Sequence, residues 1–227
     1  MNVAILPCAG VGRRFGSRGK LYKKIGTLPI LIHTLDAFVR CKDVHTIILA
    51  IHPEQYKTTE QLIAPMRRVA PVLLVHGGKR RQDSVRNGLK EVENWKHKPE
   101  IVVVHDGARP FVTPEMISKS IREAKKHGGC IVAVPLKDTL KEQKDGFVVK
   151  TVHREKMINV QTPQAFRYDI LKKAFLKARK DKYNGTDESS LVERLGIKVK
   201  ILNGSYKNIK ITTEEDLLIA QTFWGQA

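Results

Sequence analysis

Cysteine is scarce. Cys8, Cys41 and Cys130 lie far apart, with neither a CxxC pair nor a metal-ligand spacing, which fits a reducing compartment. None of the eight histidines belongs to an HExxH motif or a His/Cys cluster, so protein-ligated zinc chemistry has no donor set. No stretch approaches the ~18 consecutive apolar residues of a membrane span. The first apolar run is too short for a signal peptide and lacks a charged flank. A soluble cytoplasmic protein without a membrane partner is expected. Aromatics make up 6% of the chain, few for a surface that stacks nucleic-acid bases. Linkers rich in Pro, Ser or Gly, repeats and low-complexity tracts are also lacking, so residues 1–227 read as one domain, long enough for a full core.

Acidic residues are in deficit as well. There are 41 Lys and Arg against 23 Asp and Glu, a net charge of +18, which implies anionic partners and leaves nucleic acid, membrane or small phosphates open. Placement must choose among them. The densest basic run, "KKAFLKARKDK" at 172–182, follows a stripe of Ile170, Leu171, Ala174, Phe175 and Ala178, so its lysines fall on the opposite, solvated helix face.

Short β-branched runs, "NVAIL" at 2–6, "HTIILAI" at 45–51, "PVLLV" at 71–75, "IVVVH" at 101–105 and "CIVAV" at 130–134, alternate with helical patterns. The helical patterns cover 29–40, 54–69, 82–94 and 114–127, the last opened by Thr113 and Pro114. The alternation predicts an α/β fold with a doubly wound, mostly parallel sheet whose ligand crevice lies beyond the carboxyl ends of the strands. Residues 138–160 break the pattern. They are strongly charged around an Asp145-Gly146 turn signal and predict a protruding β-hairpin arm with too few apolar residues to stand alone. Helices at 167–180 and 187–195, a strand pair around Asn203-Gly204, and a helix opened by the capping box Thr213-x-x-Asp216 complete the expected order.

The stretch "PCAGVGRRFGSRGK" at 7–20 puts four glycines and four basic side chains behind the first strand. Gly10, Gly12 and Gly16 miss the G-x-G-x-x-G spacing of a dinucleotide site, and no acidic residue ends the second strand. A P-loop fails too: Arg14 stands where its first glycine belongs and Leu21 where Ser or Thr would bind magnesium. What remains is a glycine loop whose backbone N–H groups can approach phosphates, with Arg13, Arg14, Arg18 and Lys20 to neutralise them. On this segment alone nucleotide phosphates, another polyanion and a solvated basic turn all stay open.

Further blocks follow in order: "GGKRRQDSVRNGL" at 77–89, "VVVHDGARPF" at 102–111, "PLKDTLK" at 135–141, "VQTPQAF" at 160–166, "GTDESSLVERLG" at 185–196 and "NIKITTEEDL" at 208–217. Together they resemble the methylerythritol phosphate cytidylyltransferases of the non-mevalonate isoprenoid pathway, over nearly the whole chain. The resemblance implies a Rossmann-like nucleotidyltransferase. In its reaction the phosphate of 2-C-methyl-D-erythritol 4-phosphate attacks the α-phosphorus of CTP, Mg2+ assists, and pyrophosphate leaves.

It also implies roles. Arg14 and Lys20 correspond to the transition-state stabilisers, and Arg154 and Lys210 to the pair that positions the attacking phosphate. Gly78 and Ser84 border the cytosine with the Cys8-Ala9 backbone, Gly10 and Gly12 belong to the same nucleotide loop, and Asp106, Arg109, Thr139, Thr162 and Thr186 line the acceptor side. Asp106 is also the one residue assigned to a magnesium ion shared with the CTP phosphates. The arm, carrying Thr139 and Arg154, is expected to reach a twin subunit in a homodimer. Read without the resemblance, the four basic residues could form surface salt bridges and Asp106 could cap a turn. The chain departs from the family at Gly19-Lys20-Leu21, where Pro-Lys-Gln is usual, at Cys8 and Gly107, where alanine is usual, and at Lys79, a position often acidic. A ribitol-5-phosphate cytidylyltransferase shares the glycine loop and the "QTPQ" block. "KDTLK", "VHR" and "TDESSLVE" favour the methylerythritol type, and the basic loop with its ordered partners favours an enzyme over a basic nucleic-acid-binding module.

Overall fold

A computed structural model of the chain describes residues 1–10, 15 and 19–225. Arg13, Arg14, Arg18, Gly12 and Gly16, to which the sequence assigns phosphate binding, lie outside them.

The β-branched runs form strands as expected: β1 (Asn2–Pro7), β4 (Thr46–Ile51), β5 (Val72–His76), β6 (Ile101–Val104) and β7 (Gly129–Pro135). Two short strands, β2 (Lys24–Ile25) and β3 (Leu28–Pro29), pair only with each other among the described residues. Among the described residues the main sheet has seven strands in the order β11-β7-β10-β6-β1-β4-β5, where β10 is Ile158–Arg167 and β11 is Lys200–Asn203. β1 lies parallel to both β4 and β6, and β5 and β11 extend the parallel pairing at the two edges.

β10 is the exception. It runs antiparallel between β6 and β7, with a register shift between Gln161 and Gln164. Its residues include the "VQTPQAF" block, whose polar centre hides a strand from a reading based on apolar alternation. That polar centre is buried: Gln161, Thr162 and Gln164 are each at most 6% exposed.

Helices cover both faces, as strand alternation requires. Val3, Ile5, Val102 and Val104 point to the side packed by α3 (Arg81–Glu93), α5 (Tyr168–Lys180) and α6 (Glu188–Glu193). Ala4, Leu6, Ile101 and Val103 point to the other, with α1 (Ile30–Val39), α4 (Pro114–His127) and α7 (Glu214–Gly225). α4 starts where its signals sit, the Thr113 Oγ1 accepting from the Met116 N–H at 3.1 Å.

Two expectations need correction. The pattern at 54–69 is not one helix: a 3-10 turn at Pro53–Gln55 leads into α2 (Tyr56–Ile63), and a second follows at Met66–Arg68. Pro65, which has no N–H to donate, interrupts it. The strand pair around Asn203-Gly204 is only half there. β11 pairs with β7, but the chain beyond it meets loops and side chains, Gln161 Nε2 donating to the Ser205 carbonyl at 2.8 Å and Ile211 N–H to that of Ala108 at 2.9 Å. The Thr213/Asp216 box does open α7: Asp216 Oδ2 accepts from the Thr213 N–H at 2.9 Å, and Thr213 Oγ1 from the Asp216 N–H at 3.3 Å.

The arm is β8 (Leu140–Lys144) and β9 (Phe147–Val152), joined through Asp145 and Gly146 at φ 52° and 85°. It is shorter than 138–160, because from Ile158 the chain already belongs to β10. Its tip is apolar and open to solvent, with Phe147 78%, Val148 65% and Val149 56% exposed.

Candidate active site

A cleft of about 750 Å³ opens where the first four parallel strands end. Its lining follows directly from those ends: Pro7–Gly10 after β1, His52 and Pro53 after β4, Gly77–Arg81 and Ser84 after β5, and Asp106–Ala108 after β6. Lys20, Leu21, Lys210 and Thr212 close it from outside the sheet. Five basic side chains, Lys20, Lys79, Arg80, Arg81 and Lys210, face one carboxylate, Asp106, among the described lining residues. A cleft so charged suits a polyanion.

Asp106 is 6% exposed and doubly bridged. Arg81 Nε donates to its Oδ1 at 2.8 Å and Lys210 Nζ reaches its Oδ2 at 2.8 Å, while Arg109 Nε stands 3.8 Å from the same Oδ2. Burial pushes this carboxyl upward, but the charges and hydrogen bonds of Arg81 and Lys210 outweigh it and hold the pKa well below the usual carboxylate range. Arg81 also donates through one NH group to both oxygens of Glu188 at 2.8 Å. One guanidinium therefore ties the start of α3, the end of β6 and the start of α6 together. Glu188 is 1% exposed, and burial raises its pKa against the opposing pull of Arg81.

Beneath Asp106 lies His105, fully buried, whose pKa burial lowers to about 3. The ring is neutral, and this decides its tautomer. Nε2 faces the Arg109 carbonyl at 3.2 Å and must carry the hydrogen, so Nδ1 accepts from the Thr162 hydroxyl at 3.0 Å. Thr162 Oγ1 in turn accepts from the Asp106 N–H at 3.0 Å. Arg109 is held by the Asn208 carbonyl at 2.7 Å, and Asn208 Nδ2 by the Thr162 carbonyl at 2.9 Å. On the β5 side the Ser84 hydroxyl accepts from the Gly78 N–H at 3.0 Å and donates to the Arg80 carbonyl at 3.2 Å, closing the loop that lines the cleft.

The structure thus brings Cys8, Ala9, Gly10, Lys20, Gly78, Ser84, Asp106 and Lys210 to one cleft. Arg109 and Thr162 adjoin it through Asp106. Thr139, Arg154 and Thr186 are exposed and do not line it. Gly12 and Arg14 lie outside the described residues. The departures at Cys8 and Gly107 prove to be neighbours: a Cβ on Gly107 would come within 2.4 Å of Cys8 Sγ, so the bulk at one position goes with its absence at the other. Arg81, Glu188 and His105 stand in quoted motifs but were not singled out. A buried charge pair 107 positions apart leaves no periodic signal along the chain.

Among the described residues no three His, Cys, Asp or Glu side chains gather to hold a metal ion. Asp106 is the one carboxylate lining the cleft among the described residues, and with both oxygens already engaged by Arg81 and Lys210 it suits a magnesium ion held mainly by substrate phosphates, with a carboxylate as the protein's share.

The chain matches the family described as 2-C-methyl-D-erythritol 4-phosphate cytidylyltransferase over residues 2–226. Among proteins bearing that same name, one from Bacillus cereus (strain ATCC 10987 / NRS 248) is 45% identical over 224 residues, 98% of this chain and 97% of the relative. One from Geobacter metallireducens is 40% identical over 222 residues, 97% of this chain and 96% of the relative. The crystal structure of 4-diphosphocytidyl-2C-methyl-D-erythritol synthase from Anaerococcus prevotii DSM 20548 is similar with a TM-score of 0.85 and 32% identity, covering 99% of this chain and 98% of that one.

Proposed function

The chain belongs to the 2-C-methyl-D-erythritol 4-phosphate cytidylyltransferase family, and from that premise we propose how its cleft performs the transfer. The protein is a nucleotidyltransferase that converts CTP and 2-C-methyl-D-erythritol 4-phosphate to 4-diphosphocytidyl-2-C-methyl-D-erythritol and pyrophosphate, in isoprenoid precursor biosynthesis. A phosphate oxygen of the acceptor forms a bond to the α-phosphorus of CTP as the bond from that phosphorus to the α,β-bridging oxygen breaks. Such a step needs positioning and countercharge more than covalent help. The observation that carries the assignment to this cleft is its five cations set against the single carboxylate of Asp106 among the described lining residues.

In this reading the backbone of Cys8–Gly10 and Gly78, with Ser84, receives the nucleotide. Lys20, with Arg14, neutralises charge that builds on the α-phosphate and the leaving group. Lys210, held by Asp106 at 2.8 Å, orients the attacking phosphate. Asp106 with the phosphate oxygens would hold Mg2+, which supplies further countercharge when bound. Thr139 and Arg154 flank the base of the arm, one just before β8 and the other just after β9, and do not line the cleft. We assign them to the cleft of a second copy in a homodimer, whose formation also covers the apolar arm tip.

Pyrophosphate release from CTP with each acceptor tests the assignment. Turnover with 2-C-methyl-D-erythritol 4-phosphate and not with ribitol 5-phosphate is expected, and turnover only with ribitol 5-phosphate overturns it.

A further inference from the structure

Lys20 reaches the cleft from outside the sheet, on a 3-10 turn at Lys20–Tyr22 between β1 and β2. Its ammonium rides on a flexible four-carbon stem, so the turn beneath must be fixed if the charge is to meet a phosphate at a set place. Gly19 opens the turn at φ 98°, where proline with φ near −65° cannot stand. This chain therefore builds the approach to Lys20 differently from a Pro-Lys-Gln sequence. Leu21, 8% exposed, belongs to the core cluster that also contains Cys8 and Ala108. A further tether is Tyr22, whose hydroxyl lies 2.5 Å from Thr59 Oγ1.

The direction of that bond follows from counting hydrogens. Thr59 is fully buried on α2, and its single hydroxyl hydrogen goes to the Gln55 carbonyl at 2.7 Å. Tyr22 must then donate to Thr59. α2 is itself tied to the sheet, Tyr56 O–H donating to the Leu74 carbonyl at 3.3 Å and Ile63 packing with no exposure. The path from the sheet through α2, Thr59 and Tyr22 ends two residues from Lys20.

We propose that Tyr22, by donating to Thr59, positions Lys20 at the cleft, and that both are positioning residues of the transfer. The inference rests on Lys20 acting on the phosphates as assigned above. Removing the phenol oxygen leaves Leu21 in the core and the Thr59 to Gln55 bond intact, so the fold persists while the turn loosens.

Steady-state kinetics of Tyr22→Phe, Thr59→Val, Thr59→Ser and the Tyr22→Phe/Thr59→Val double variant, with Lys20→Ala beside them, test it. Tyr22→Phe and Thr59→Val should each lose about tenfold in kcat while KM for CTP stays within about twofold. Thr59→Ser, which keeps the hydroxyl, should restore kcat, and the double variant should be no slower than either single one. Near-normal kcat in Tyr22→Phe with only a lowered Tm overturns the proposal, as do losses that multiply in the double variant or a Thr59→Ser as slow as Thr59→Val. A Lys20→Ala protein with normal kcat overturns the role of Lys20 and this inference together, whereas an inactive Lys20→Ala beside an unimpaired Tyr22→Phe overturns this inference alone.

Discussion

Asp106 and Arg154 are both charged and both assigned to the same reaction, yet their surroundings have little in common. Asp106 is 6% exposed and bridged by residues 25 and 104 positions away in the sequence. Arg154 is exposed at the base of the arm, and its guanidinium donates to the nearby Lys137 carbonyl. The cleft around Asp106 is preorganised by one chain, because buried charges are tolerated only when their partners are already in place. The arm is held mainly by itself: among the described residues β8 and β9 pair only with each other, and the apolar side chains beside their turn face water. On the proposed reading the first region works within its own subunit and the second across to another.

The sharpest way to break that contrast is to remove countercharge from the cleft. Lys20→Ala is expected to lose on the order of 10²- to 10³-fold in kcat, as loss of a preorganised donor does, with little change in Tm, and Arg14→Ala, proposed to act with it, should lose as much. A variant that kept kcat but unfolded more easily would make that residue structural.

Mixing separates the two regions directly. Lys20→Ala and Arg154→Ala proteins are each expected to be inactive, but random subunit exchange makes half the dimers mixed, each with one intact site. About a quarter of wild-type activity should return. Verified heterodimers that stay inactive, or full activity from a sedimenting monomer, would place Arg154 in its own cleft or in none.

The smallest effect concerns the cleft floor. Gly107→Ala would drive its methyl to within 2.4 Å of Cys8 Sγ, and urea unfolding should show a cost of about 1–3 kcal/mol, as overpacking brings. In a Cys8→Ala background most of that cost should vanish. An equal cost in both backgrounds would mean that glycine is needed there for another reason.

Much of the fold was legible because it is encoded locally. β1, β4, β5, β6 and β7 announce themselves as β-branched runs, α4 by Thr113-Pro114, α7 by its capping box, and the arm by Asp145-Gly146. β10 was not, since its Gln161, Thr162 and Gln164 break the apolar alternation that marks a strand. They are buried in the sheet because each finds a partner from elsewhere, Ser205 for Gln161, Asp106 for Thr162 and Asp187 for Gln164. The site divides the same way. Lys20, Asp106 and Lys210 were found through motifs, whereas Arg81 and Glu188 acquire a role only when α3 and α6 meet at the end of β6.

By itself the sequence determined the α/β alternation, the glycine-rich basic loop behind the first strand, the arm, and the motif order that marks the family. These depend on periodicity, turn chemistry and residue type at short range. Tertiary structure alone decided that a polar strand runs antiparallel through the sheet, that Arg81 joins Asp106 to Glu188, that His105 is neutral, and that Cys8 meets Gly107. Each of those rests on burial and on contacts between distant positions, where desolvation makes a partner obligatory and no local pattern records which partner it will be.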